Sequence, residues 1–178
     1  MLISQHRVHE LPVTIQNSRP DIDEREVLKR LSEALDLIAQ YAPRRLRRLR
    51  RDITGIIVRR FPCRGAYFPE TRECLVELTF TVNSRHTLPE IAASIVHEAT
   101  HARIARRCGP LSEEQRPREE RICRRAEVEF GLALPNGASV VERARSALLL
   151  VDRDVAPRVD WAEGARRVAA ADQRETGG

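Results

Sequence analysis

The sequence predicts an α+β fold: a small sheet packed on one central helix, with further helices before and after it. Three observations lead there. Apolar residues recur at helical spacing over 22–42 and again after Thr87. Two short segments rich in β-branched residues, ITGIIVRRF (53–61) and LVELTFTV (75–82), lie between those helices and read as strands. A length of 178 residues, with 42% hydrophobic and 32% charged, suits one folded domain with one core. Aromatic residues make up only 4%, so Leu, Ile, Val and Ala must fill that core.

The elements follow in order. Residues 1–20 read as an extended N-terminal segment, with no apolar run long enough for a signal peptide. Asp21 and Glu24 have the spacing of a capping box. Val27, Leu28, Leu31, Leu35 and Ile38 then mark a helix over 22–42, which Pro43 interrupts. The run RRLRRLRR (44–51) continues as a second helical piece with Leu46, Leu49 and Ile53 on one side. Residues 62–73 form a loop around a short strand at Ala66-Tyr67-Phe68. Thr87 and Glu90 make a second capping box, Pro89 sits in the first turn, and the helix should stop at Gly109-Pro110. A third long helix spans Ser112 to Ala133 and ends at Pro135-Asn136-Gly137; a fourth spans Ser139 to Val151. Asp160 with Glu163 caps a short last helix, and QRETGG is a frayed tail.

The central helix carries His97-Glu98-Ala99-Thr100-His101. Residues four apart on a helix share a face, so the two imidazoles can meet one ion. Glu98 lies about 100° around the helix, within reach of a water on that ion. Zinc brings bound water's pKa towards 7, and a glutamate can take and return the proton. Chance alone places an HExxH in roughly one chain of this length in a few hundred, so the surroundings decide. Leu88, Ile91, Ile95, Ala99 and Ala102 form one apolar stripe. His97 and His101 point nearly opposite, with Ala93, Ser94, Ala105 and Cys108; a small, weakly polar face of that kind suits a cleft rather than open solvent.

The strand 75–82 followed by a helix with His97-Glu98-x-x-His101 resembles the zincin superfamily of metallopeptidases. The resemblance covers roughly 53–135. It implies a small sheet over the metal helix, Glu98 as general base acting on a zinc-bound water, and a third ligand from a later helix. Arg103 departs from the pattern, where the family has an apolar residue. The histidines are 6, 9, 86, 97 and 101, so no third histidine follows His101 and the remaining ligand is a carboxylate or a cysteine. Glutamates crowd the next helix at 113, 114, 119, 120, 127 and 129, which is similar to the glutamate-ligand branch, the gluzincins. Glu120 is the candidate ligand, beside His97 and His101. It projects from the edge of the stripe Ile122, Cys123, Ala126, Phe130 and Ala133, and Glu-Arg-Ile-Cys resembles the gluzincin pattern of Glu, two residues and a small residue. Arg124 stands where that pattern has Asp or Asn. Glu127 is then the candidate acceptor for a ligand imidazole, and Glu119 and Glu127 remain the alternative ligands. All three also balance the arginines around them. A rival resemblance, to peptide deformylases, would use Cys74 of Glu73-Cys74-Leu75. Their first, glycine-rich motif is missing, and 77 residues follow His101 where their metal helix lies near the C-terminus. His86 reads as a polar loop residue or a lining of the cleft.

Net charge is +5, and six arginines fall within 44–51, without which the rest of the chain is at −1. Lys29 is the only lysine. The arginine run reads as a solvated face or as a contact for nucleic acid, without the aromatic residues that stack on single strands. Cys63, Cys74, Cys108 and Cys123 have no metal spacing and read as free thiols. The organisation expected is therefore an N-terminal segment 1–20, one zincin-like domain 21–152 with its metal core at 53–135, and a C-terminal helix and tail 153–178. The function expected is a cytoplasmic, bacterial zinc metallopeptidase acting on a peptide or protein, with no membrane partner. The alternative is a zincin-fold binding or regulatory module that touches nucleic acid.

Overall fold

A computed structural model describes residues 2–109, 111–158 and 160–176. The chain is α+β, with a mixed five-stranded sheet in the order β1-β2-β3-β5-β4. Residues expected to be extended at the N-terminus are two strands, β1 (Leu2–Val8) and β2 (Leu11–Asn17), paired antiparallel. His9 and Glu10 both take positive φ between them, the conformation of a tight hairpin turn. Along β2, Leu11, Val13, Ile15 and Asn17 are buried at alternate positions, and so one face enters the core.

Helix α1 (Glu24–Tyr41) begins two residues later than a box at Asp21 would place it. Asp23 is its cap and accepts from the Arg25 backbone N–H, while Asp21 is held in an ion pair with Arg19. Helix α2 (Pro43–Asp52) starts on Pro43, which serves as a first-turn residue, and buries Leu46, Leu49 and Asp52. Strands β3 (Gly55–Arg59) and β5 (Glu73–Glu77) pair parallel, and β3 pairs parallel with β2. Strand β4 (Gly65–Phe68) closes the sheet antiparallel to β5 and is its edge.

The strand expected over 75–82 ends at Glu77. There the chain turns into a short helix, α3 (Leu78–Val82), because the Glu77 carboxylate accepts from the Phe80 backbone N–H at 2.6 Å and caps the turn. The apparent alternation was misleading: Leu75, Val76, Glu77 and Leu78 are all buried in succession.

Helix α4 (Leu88–Cys108) begins on the Thr87–Glu90 capping box and packs against α1, α2, β4 and β5. Ile91 through Glu98 are buried without interruption, so its first half is the centre of the molecule. Its stop falls at Gly109 with φ 71°; Pro110 lies outside the described residues. A single 3₁₀ turn (Glu113–Gln115) leads into α5 (Arg116–Ala133), which packs on α4 and then on α6 (Ala138–Leu148). Close approach at the α5–α6 turn requires glycine: a Cβ on Gly137 would lie 1.9 Å from the Gly131 carbonyl oxygen. The chain ends in α7 (Asp152–Val155), which periodicity did not reveal, and α8 (Trp161–Thr176), a longer helix than the short one expected. Its first turn has the predicted Asp160 side chain accepting from the Glu163 N–H. The tail's Gly177 and Gly178 lie outside the described residues. Among the described residues no helix is long and apolar enough to cross a membrane.

Candidate metal centre

Helices α4 and α5 bring His97, His101 and Glu120 together. The two Nε2 atoms are 3.1 Å apart. Glu120 sits across both of them, Oε2 at 3.2 Å from His97 Nε2 and Oε1 at 3.4 Å from His101 Nε2. The far nitrogens are also engaged. His97 Nδ1 donates to Glu127 Oε1 at 2.6 Å, and His101 Nδ1 donates to Glu119 Oε1 at 2.8 Å. Ionised carboxylates only accept, so these two bonds place a proton on each Nδ1. In the neutral rings both Nε2 lone pairs and a carboxylate then converge on one point. Three acceptors at that separation repel unless protons or a cation lie among them.

The distances lie at or just under those a small cation would set. Bonds of about 2.0–2.2 Å in a tetrahedron hold donor atoms roughly 3.3–3.6 Å apart, and the separations here are 3.1, 3.2 and 3.4 Å. A fourth donor stands close by. The Cys123 thiol sulfur lies within 4.8 Å of the donor nitrogens of both histidines. Its place follows from α5 itself: Cys123 is four residues after Glu119 and three after Glu120, on the same face. Glu120 spans both Nε2 atoms, while His97, His101 and Cys123 by themselves form a group that could hold a metal ion, so both side chains of α5 stand within reach as a third donor. Burial pushes the Cys123 thiol up to about 11, against the pull of His101, which favours the neutral thiol.

The protonation of the cluster has the same cause throughout. Burial opposes charge on His97, but Glu120 and Glu127 outweigh it and raise the ring above its usual value. His101 is raised well above it, with burial overcome by Cys123, Glu119 and Glu120. Burial opposes ionisation of Glu120 too, yet the hydrogen bonds from His101 and His97 hold it far below the carboxylate range.

Glu98 occupies the same cleft without sharing that cluster. Burial raises its pKa, partly offset by His97 and His101. Strand β4 passes directly over it. A Cβ on Gly65 would fall 2.8 Å from Ser94 Oγ and 3.0 Å from Glu98 Oε1, so any larger residue would push the Ser94 and Glu98 side chains from where they sit. The cleft has a volume of about 690 Å³. Tyr67 lines it from β4, which periodicity could not assign, and Cys63 lines it beside Gly65. His86 does not line it; its ring packs on Phe80 with centroids 4.8 Å apart. His6 and His9 pair with Glu24 and Asp36 at the hairpin. The four cysteines are free, and Cys74 is fully buried.

Comparison with known proteins gives no matching family model, no matching curated protein and no matching solved structure.

Proposed function

We propose that the protein is a zinc-dependent hydrolase of the zincin kind that cleaves peptide bonds. The observation that carries this reading is the convergence of His97 Nε2, His101 Nε2 and the Glu120 carboxylate within 3.1–3.4 Å, with each outer nitrogen held by its own glutamate. Two imidazoles and one carboxylate are a common donor set for catalytic zinc, and it leaves a position open. Zinc held there would supply Lewis acidity towards a water and a substrate carbonyl.

The residues of the chain divide the remaining work. Glu127 and Glu119 fix the tautomer and orientation of the two rings, so both Nε2 atoms face inward. Glu98 takes a proton from the attacking water on its carboxylate and returns it to the leaving amine. Its raised pKa suits both halves of that transfer, since a carboxylate of ordinary acidity returns a proton poorly. The small sheet beside α4, with a third donor on a later helix, supports the zincin reading.

Metal content and turnover test it together. Purified protein should hold one zinc per chain after supplementation and dialysis, and should cleave a denatured protein such as casein. Glu98→Gln should keep the zinc and lose cleavage by at least roughly a hundredfold. Metal-free wild-type protein, or full cleavage by Glu98→Gln, would sink the proposal.

One observation favours the second reading, a binding module that contacts nucleic acid. Arg48 and Arg45 of α2, with Arg107 of α4, surround Arg103 of α4, and burial together with those charges lowers the Arg103 pKa. Such a module has no need for the buried Glu98.

A further inference from the structure

The cleft holds a second group of charges that the hydrolysis reading does not use. Three arginines from three elements reach it: Arg64 from the segment before β4, Arg124 from α5 and Arg143 from α6. The tight turn at Gly137 folds α6 back along α5 and so brings Arg143 beside Glu127. Arg143 Nη2 donates to Glu127 Oε2 at 3.1 Å, and Arg124 Nη1 donates to Glu127 Oε1 at 2.7 Å. The Nε atoms of both are buried and have no hydrogen-bond partner. Arg64 donates no hydrogen bond among the described residues. Its nearest carboxylate is Glu90 at 3.7 Å, and its guanidinium carbon lies 5.1 Å from the centre of the Phe80 ring. Burial and the nearby Arg143 lower its pKa, so this cation is held where its charge is poorly compensated.

The pairing of these charges is uneven. Three guanidiniums face two carboxylates, Glu90 and Glu127, and Glu127 is shared with His97. Among these ion pairs the guanidiniums outnumber their carboxylates by one, and two Nε donors stay unused. A single carboxylate balances that excess, whereas a phosphate dianion would exceed it. Guanidinium donors in a fork match a carboxylate closely.

We propose that Arg64, Arg124 and Arg143 form a carboxylate-recognition subsite, so that the cleft selects peptides presenting a carboxylate near the scissile bond. The inference rests on the hydrolase reading. Arg124 follows Glu120 by four residues, about 6 Å along the helix, and an extended peptide advances about 3.3–3.6 Å per residue. The recognised carboxylate therefore lies one or two residues from the bond. Two sources fit: the peptide's own C-terminus, or an Asp or Glu side chain.

The test uses the full chain carrying Glu98→Gln, loaded with zinc, so that ligands bind without turnover. Affinities are measured by calorimetry for four acetylated pentapeptides. These are alanine with a free C-terminal carboxylate, alanine as the amide, and the amide with a central Glu or a central Lys. The free-carboxylate peptide or the Glu peptide should bind roughly tenfold or more tightly than the neutral amide, as expected of a charge-assisted hydrogen bond, and which one does so identifies the source. Lys should bind more weakly than either. Arg64→Gln in the same background should erase that preference while zinc content stays at one per chain. Arg64→Glu should shift it towards the Lys peptide. Equal affinity for charged and neutral peptides overturns the subsite, as does a preference that survives Arg64→Gln, or a failure of all four to bind. The hydrolase reading fails differently: the wild-type chain would then take up no zinc or leave casein uncut.

Discussion

Helices α2 and α5 are both crowded with charge, and the fold treats them in opposite ways. In α2 the arginines ride on a helix whose inward face is Leu46 and Leu49. Arg44, Arg47 and Arg51 are exposed, and several of the run pair with nearby acids: Arg45 with Glu129, Arg50 with Glu10 and Arg51 with Asp52. In α5 the charges split by face. Arg118 and Arg125 point to solvent, while Glu119, Glu120 and Glu127 turn inward to the histidines of α4. Charge density in the two segments is similar, and burial separates them. A desolvated carboxylate needs a partner, so each inward glutamate of α5 is bound to a specific nitrogen. In α2 Arg45 and Arg50 are partly covered, each beside an acid, and the exposed Arg44, Arg47 and Arg51 stay hydrated and largely free of that demand.

The largest effects are therefore expected from the inward face of α5. Glu120→Gln removes the carboxylate that spans both Nε2 atoms. Zinc affinity should fall by more than roughly a hundredfold, beyond the loss typical of outer partners. Cys123→Ala, one turn away, should leave the affinity within about tenfold of wild type. Competition with a chelating dye measures both. If Cys123→Ala is the variant that loses zinc, the sulfur and not the carboxylate is the third donor.

The next level is the pair that orients the rings. Glu127→Gln weakens the hold on His97 Nδ1 and leaves Arg124 and Arg143 without their shared anion. Glu119→Gln acts on His101 alone. Each should lower zinc affinity by about 10–100-fold, with Glu127→Gln the worse of the two because its side chain is nearly inaccessible to solvent. Equal affinities for both variants and wild type would mean the outer glutamates only neutralise arginines.

How much of this could be read in the sequence depended on whether local chemistry or long-range packing decided each feature. His97, Glu98 and His101 were legible because helical spacing alone places them, and the Thr87–Glu90 cap is equally local. Glu120 could be ranked above its neighbours from its angle on α5, and its place beside both rings depends on how α4 and α5 pack. Residues 75–82 misled because every residue from Leu75 to Leu78 is buried, so the local pattern lost its period. Strand pairing at the N-terminus was invisible for the opposite reason: β2 finds its partner β3 some forty positions away. Cys123 was read as the small residue of a pattern, although its spacing from Glu119 and Glu120 already put it on their face. Arg64 and Arg143 carried no signal, since the turn at Gly137 and the edge strand bring them to Glu127 and Glu90.

Proton linkage sharpens the contrast further, because the inward face of α5 meets titratable imidazoles. In metal-free protein the folded-state pKa values of His97 and His101 are raised. Their contribution to stability is fully present below the ordinary value of 6.5 and is lost as pH rises through the raised values. Glu98, raised by burial, acts in the same direction. Glu120 is depressed, so its contribution is present above 4.5 and lost on acidification. Zinc must displace the histidine protons, and its binding strengthens as they leave. The melting temperature of chelator-treated protein should therefore fall from pH 6 to pH 8 relative to the zinc-loaded form, widening the gap by several degrees. A gap that narrows over that range would contradict the assignment of protons to this cluster.

The smallest effect is expected at α2 itself. Arg44, Arg47 and Arg48 make no ion pair among the described residues, and Arg44 and Arg47 are exposed. Replacing all three by serine should cost a few tenths of a kcal/mol each, mostly lost helix propensity, because surface changes of this kind usually stay within about 0.5 kcal/mol. Zinc content and casein cleavage should be unchanged. The same variant separates the two functional readings. If α2 and the end of α4 form a nucleic-acid contact, wild-type protein binds a duplex oligonucleotide at low salt, and log affinity falls steeply with log salt as counterions are released. Removing three phosphate-facing charges should then flatten the slope by about three times 0.9. A wild-type chain that binds no duplex at low salt leaves the arginines as a solvated face. In that case the difference between α2 and α5 is complete: one helix uses its charge to stay in water, and the other carries charge inward because the two histidines of α4 wait there to receive it.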